Sequence, residues 1–247
     1  MAVVEQEQAP LELESGEGQI TERPLGAFTR PGDGGGWRSW LFTVDHKKIG
    51  IMYGAAGLLF FVIGGIYALF MRLQLARPGN SILSAETYNQ VFTMHGVVMI
   101  FLAAIPLGAA FSNYLIPLQI GARDVAFPRL NAFSFWVFLG GGLFLLTSMF
   151  IGGWWENAPD GGWFAYSPNT GVLFSPSKGI DFFAIGLQIT GIASLVGAIN
   201  LIVTVLNMRS PGMTLMKMPV LTWMLFIVQM LLLFAMPVIS VALFLLT

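Results

Sequence analysis

Five stretches of this chain stay apolar for longer than a soluble helix requires: Ile49 to Met71, Val91 to about Leu118, Leu130 to Gly152, Asp181 to about Asn207, and Pro219 to Leu246. A hydrocarbon core about 30 Å thick calls for about 20 consecutive apolar residues in a helix. Each stretch reaches that length, so residues 41–247 are expected to fold as an all-α, polytopic transmembrane helix bundle with five spans. Asp45, just ahead of the first span, is a suitable N-cap. The rest of the composition agrees: 55% of the 247 residues are hydrophobic and only 10% charged, the balance of an integral membrane protein. A net charge of −1 gives no reason to expect a nucleic-acid partner. No cysteine is present, so neither a disulfide nor a thiolate metal site can form. With two histidines in all, His46 and His95, a site needing three or four imidazoles cannot be built from this chain alone.

Residues 1–40 differ in kind. Glu5, Glu7, Glu12, Glu14, Glu17 and Glu22 precede the run Pro31-Gly32-Asp33-Gly34-Gly35-Gly36. Such a segment buries too little apolar surface to offset its ordering entropy and reads as a mobile tail. It lacks the basic start and apolar middle of a signal peptide, so it is expected to remain, unprocessed, on the cytoplasmic side. Arg38, Lys47, Lys48, Arg123, Arg129, Arg209 and Lys217 then fall inside, and Arg72, Arg77 and Lys178 outside. That distribution fits the positive-inside rule. Gly64-Gly65 and Gly140-Gly141-Gly142 suggest close helix approaches. Pro106, Pro117 and Pro237 are expected to kink their helices, with neighbours satisfying the freed carbonyls. The outer loop carries Trp154, Trp155, Trp163 and Tyr166, which suit either an interfacial belt or a docking surface. The chain stops at Ala242-Leu243-Phe244-Leu245-Leu246-Thr247 without a polar tail, which reads as a piece of a longer polypeptide.

One titratable ring falls within the apolar runs. His95, in Phe92-Thr93-Met94-His95-Gly96, is costly to place in hydrocarbon and therefore has a partner or a task. It either hydrogen-bonds a neighbouring helix or serves as an axial haem ligand, because a neutral imidazole binds haem iron readily. Asn113 lies eighteen residues further on, about 27 Å along a helix, so the two mark opposite ends of one span. Beyond Asn113 come Gln119, Asp124 and Asn131, and the fourth span carries Thr190, Ser194 and Asn200. Side chains of this kind either hold a file of proton-conducting waters or join helices by hydrogen bonds. Asp124 taken singly is an ordinary loop acid.

Several motifs carry a family resemblance. Phe92-Thr93-Met94-His95-Gly96, the run Pro117-Leu118-Gln119-Ile120-Gly121-Ala122-Arg123-Asp124-Val125-Ala126-Phe127-Pro128-Arg129-Leu130-Asn131, and Ser134-Phe135-Trp136 resemble subunit I of the haem-copper terminal oxidases. Asp45-His46-Lys47-Lys48-Ile49-Gly50, Met71-Arg72, Gly197-Ala198-Ile199-Asn200 and Met208-Arg209-Ser210-Pro211-Gly212-Met213 continue the pattern in order, from about Trp40 to the last residue. The resemblance implies a catalytic subunit in a bacterial plasma membrane that passes electrons from cytochrome c to oxygen and pumps protons. By it, His95 is one of two axial ligands of a low-spin haem A. Arg72 matches the arginine that hydrogen-bonds the formyl group of that haem, and Tyr88 and Trp163 match residues near its propionates. A buried arginine there disfavours the ferric state and raises the potential. Asp124 matches the mouth of the D proton pathway, Asn113 and Asn131 its narrow asparagine section, and Tyr53, Ser134, Ser194 and Asn200 its further lining.

The same resemblance implies partners. About seven further helices, from the same polypeptide or a second chain, would supply the other ligand of the low-spin haem, the high-spin haem ligand and the three copper histidines. Subunit II with a copper centre, subunit III, cytochrome c or a fused cytochrome domain, and membrane lipids complete the expectation. Two positions depart from the pattern. Ala193 stands where many relatives have a second serine, a place a water can fill. Gln74 stands where mitochondrial relatives have a cation-binding glutamate, so no cation is expected. Quinol-using relatives carry arginine, aspartate and histidine where this chain has Ile63, Tyr67 and Thr87, and only Gln90 agrees. Cytochrome c is thus favoured over a quinol as donor. A transporter or channel is the alternative from another class, although no inverted repeat is evident.

Overall fold

The structure, a computed structural model, describes residues 36–151 and 157–246. The tail expected over residues 1–40 falls almost wholly outside the described residues, as do Gly152, Trp154 and Trp155. The unit that begins at Trp40 is the helix bundle. Its five long helices are α1 (His46–Gln74), α2 (Ala85–Ile120), α3 (Pro128–Thr147), α4 (Gly179–Asn207) and α5 (Val220–Phe244). All five are long and apolar enough to cross a bilayer. The expected all-α polytopic architecture therefore holds, and no strand occurs among the described residues. Boundaries move most at the start of α2, Ala85 rather than Val91, and at the end of α3, which stops at Thr147 and gives way to turns at Ser148 to Ile151 rather than continuing to Gly152.

Local chemistry sets the helix ends. Asp45 caps α1 by accepting the Lys47 N–H at 2.8 Å, and Ser84 caps α2 by accepting from Thr87. Gly121 ends α2 in the left-handed region at φ 73°, where a side chain would also meet Ser210. Within α2, residues Val98–Ala104 form a π-helical stretch, and the Ile105 N–H bonds to Ile100 O, five residues back. Pro106 follows directly. Having no N–H and a bulky ring, it cannot continue the ordinary ladder, and the widened turn absorbs the mismatch.

Helices α1 and α2 pack antiparallel along a glycine seam. Gly50, Gly57 and Gly64 recur every seven residues on α1. A Cβ there would lie 3.0 Å from Ala110 O, 3.3 Å from Ala103 O and 2.8 Å from Met99 Sδ, respectively. As the α1 numbers rise the α2 numbers fall in step, which fixes the register. Helices α3 and α4 approach as closely: a Cβ at Gly141 would lie 2.9 Å from Ile189 and Thr190, and one at Gly186 would lie 3.1 Å from Leu145. Gly142 faces Leu102 and Phe60, whereas Gly65 and Gly140 meet nothing within 4 Å. The expected glycine contacts are thus real, made by Gly64 in the first run and by Gly141 and Gly142, toward different helices, in the second. The core between α1 and α3 is aromatic, with Tyr53 edge-on to Phe135 at 5.1 Å and Phe60 edge-on to Phe138 at 6.1 Å. A smaller apolar cluster of Ile116, Ile120, Val125, Leu201, Val205 and Phe226 ties α2, α4 and α5 together. Helix α5 buries only Thr222, Phe226, Gln229 and Leu243.

Candidate functional sites at the two ends of helix α2

Three neighbouring residues near the start of α2 each fasten a different part of the fold. Thr93, fully buried, donates its hydroxyl to Asn89 O and accepts the Gly162 N–H, both at 2.8 Å, which pins the loop between α3 and α4 to the helix. The charge distribution is expected to place this end of the bundle outside, so it is termed outer and its opposite inner. At Gly96 a Cβ would stand 3.0 Å from Cβ and Cδ1 of Trp163, so the missing side chain is what lets Trp163 lie there. Between them, Nδ1 of His95 lies 2.8 Å from Gly64 O on α1. A carbonyl only accepts, so Nδ1 carries the hydrogen and the neutral ring keeps its lone pair on Nε2. A ring held this way by a backbone carbonyl could offer its other nitrogen to a metal.

The other outer residues named from the sequence are less confined. Tyr88 is half-buried on the early turns of α2, and Trp163 remains 41% exposed beside Gly96. Arg72 is exposed on the last turn of α1. Gln74, where no cation was expected, instead organises the α1–α2 loop. Its Oε1 accepts the Leu83 N–H at 2.8 Å and its Nε2 donates to Asn80 O at 2.6 Å.

At the inner end, Asp124 is 7% exposed, and Oδ1 accepts the Val125 N–H at 2.8 Å. The loop carrying it is held by α4. Thr204 accepts the Ala126 N–H at 2.9 Å, and Asn200 accepts from Phe127 N–H at 2.9 Å while donating to Phe127 O at 3.2 Å. Asn200 therefore ties helix to loop with both ends of its amide. Asn113 and Asn131 behave differently. Nδ2 of Asn113 bonds to Ala109 O at 2.9 Å, but Oδ1 of Asn113 and Nδ2 of Asn131 are buried without a hydrogen-bond partner. An acceptor and a donor are thus left open on two helices, each at a cost unless something polar meets it.

A cavity of about 390 Å³ among α1 to α5 continues from Asn113, with Tyr53, Ser112, Ser134, Thr190, Ser194, Gln229 and Ser240 in its polar lining. Ser134 donates to Ala193 O at 2.9 Å, and the 2.7 Å contact with Tyr53 then has the tyrosine as donor, since a hydroxyl has one hydrogen. Ser194 donates to Thr190 O at 3.1 Å. His46, the first residue of α1, is buried at 1% exposure, with Nδ1 2.8 Å from Asn113 O. Thr93, Gly96 and Thr204 were missed as site residues. The Thr-x-x-Gly spacing around His95, which puts both residues on one helix face, is the signal that could have found the first two.

Relatives extend this picture. The family described as Cytochrome C and Quinol oxidase polypeptide I matches residues 48–247. Cytochrome c oxidase subunit 1 of Bacillus subtilis (strain 168) is 54% identical over 204 residues, covering 83% of this chain and 32% of that protein. Its counterpart in Alkalihalophilus pseudofirmus is 55% identical over 196 residues, 79% of this chain and 31% of the relative. Quinol oxidase subunit 1 of Bacillus subtilis (strain 168) is 47% identical over 211 residues, 85% of this chain and 32% of the relative. The chain thus spans about a third of the length of these proteins. Five spanning helices and a family match over four-fifths of the sequence lead to one conclusion: the chain belongs to the haem-copper oxidase subunit I family.

Proposed function

We propose that this chain is the N-terminal portion of the catalytic subunit of a proton-pumping terminal oxidase, contributing a low-spin haem ligand and the intake of a proton pathway. The observation that carries the first part is the His95 hydrogen bond to Gly64 O, which leaves Nε2 as the ligating atom. Low-spin haem A, when bound, supplies a one-electron carrier. His95 orients its ring from α1, and Trp163, seated on Gly96, covers the neighbouring helix face. Arg72 and Tyr88, on the ends of α1 and α2, are the residues of this chain proposed to meet the haem's formyl and propionate groups. A reduced-minus-oxidised optical spectrum of the purified assembly is the test. Low-spin haem A bands are expected, and a preparation without haem bands would sink the reading, leaving a transporter or channel.

Proton intake is proposed to begin at Asp124 and pass the Asn113 and Asn131 amides, whose open acceptor and donor suit bridging water. Beyond them the Tyr53, Ser134 and Ser194 hydroxyls line the cavity. Asn200 contributes by holding the loop that presents Asp124. With positive residues inside, Asp124 faces the cytoplasm. The high-spin haem, copper and oxygen chemistry belong to further helices of subunit I. Subunits II and III and membrane lipids complete the proposed assembly.

Cytochrome c, free or as a fused domain, is the proposed electron donor. Tyr67, at a position where quinol-using relatives carry an aspartate, is buried and donates to Met149 Sδ at 2.7 Å. Thr87 pairs with Ser84 at 2.9 Å. Steady-state oxygen uptake decides this point: rapid turnover on a quinol with none on reduced cytochrome c would select the quinol oxidase reading instead.

A further inference from the structure

The carbonyl of Asn113 marks a break in the ladder of α2 that another helix repairs. In an unbroken α-helix this oxygen accepts from the residue four places on, which here is Pro117, a residue with no N–H. His46 Nδ1 on α1 lies 2.8 Å from that oxygen and must be the donor, since a carbonyl has no hydrogen to give. His46 is itself held in place. It is the first residue of α1, directly after the N-cap Asp45, and is 1% exposed. The two histidine contacts also agree in register, because His46 and Gly64 are as far apart on α1 as Asn113 and His95 are on α2.

What His46 fixes is the backbone of one particular residue. The Asn113 side chain has a single short lever from that backbone, with Nδ2 tied back to Ala109 O and Oδ1 buried and open. Where the amide stands relative to Asn131 Nδ2 therefore follows from where the main chain is held.

We propose that His46 is a positioning residue for the asparagine section of the proton pathway: its Nδ1–H replaces the helical hydrogen bond that Pro117 forbids, and so sets where the Asn113 amide stands. The proposal rests on the reading of Asp124, Asn113 and Asn131 as a proton intake. It makes a chemical prediction that packing alone does not. Any donor placed where Nδ1 stands should serve, and the donor should become dispensable once residue 117 has its own N–H.

The experiment uses the intact oxidase in lipid vesicles and measures protons pumped per electron together with the low-spin haem spectrum. His46→Leu and His46→Gln are expected to lower proton uptake about three- to tenfold, the range for loss of one buried hydrogen bond, with the haem spectrum unmoved. His46→Asn, whose amide nitrogen falls at the Nδ1 position, should recover most of the loss. So should Pro117→Ala added to His46→Leu. If His46→Leu does not assemble, Pro117→Ala should restore assembly. Pumping indifferent to all His46 variants, equal behaviour of the asparagine and glutamine variants, or failure of Pro117→Ala to rescue would each overturn the proposal. Asp124→Asn measured alongside separates the two claims. Normal pumping there removes the intake reading itself, whereas impaired pumping there with normal His46 variants removes the positioning role alone.

Discussion

At the outer end of the α1–α2 pair His95 donates to Gly64 O, and at the inner end His46 donates to Asn113 O, both at 2.8 Å. The chemistry is the same and the purposes differ. Ala68 has an N–H to offer Gly64 O within its own helix, so the outer bond is an addition whose effect falls on the histidine: it fixes the ring and its tautomer. Asn113 O has lost its helical donor to Pro117, so the inner bond completes the helix, and its effect falls on the asparagine. A buried histidine is thus best read from the state of the carbonyl it touches. The surroundings differ in the same sense. The outer end is closed by an apolar contact, Trp163 on Gly96, whereas the inner end keeps Asn113 Oδ1 and Asn131 Nδ2 open.

That contrast can be broken from either side. His95→Ala should abolish the low-spin haem bands in a reduced-minus-oxidised spectrum. Bands that survive it would mean the outer histidine only joins helices. Asp124→Asn should slow oxygen-consuming turnover at least about tenfold and reduce pumping, with the haem bands intact. Unchanged proton uptake would return Asp124 to the status of a loop acid. Asn200→Ala removes two bonds to Phe127 and should cost about 2 kcal/mol of stability, read as earlier thermal loss of haem from the assembly. If stability holds while pumping falls, Asn200 lines the pathway rather than bracing it. The smallest effect is expected from Gly96→Ala, where the new methyl pushes on Trp163 and costs about 1 kcal/mol. The low-spin band should shift slightly with proton uptake untouched, and a band that stays fixed would separate Trp163 from the haem.

Much of this was legible in the chain and some was not. His95 stood out because an imidazole within an apolar run is rare and expensive. His46, next to Lys47 and Lys48, looked like part of a charged margin, and only the approach of α2 turns it into a buried donor. Asn200 and Asn131 were indistinguishable as letters. The structure separates them because one meets a loop backbone and the other leaves its Nδ2 unmet.

By itself the sequence determined the number of spans, the cap at Asp45, and the disturbance of α2 at Pro106, since length, hydropathy and missing N–H groups are local properties. Tertiary structure decided which glycines become contacts, which asparagine is bonded through both ends of its amide, and which carbonyl each histidine meets. Those depend on the face one helix turns to another. That face is set by packing between residues eighty or more positions apart, such as Tyr53 and Ser134, which no local pattern records.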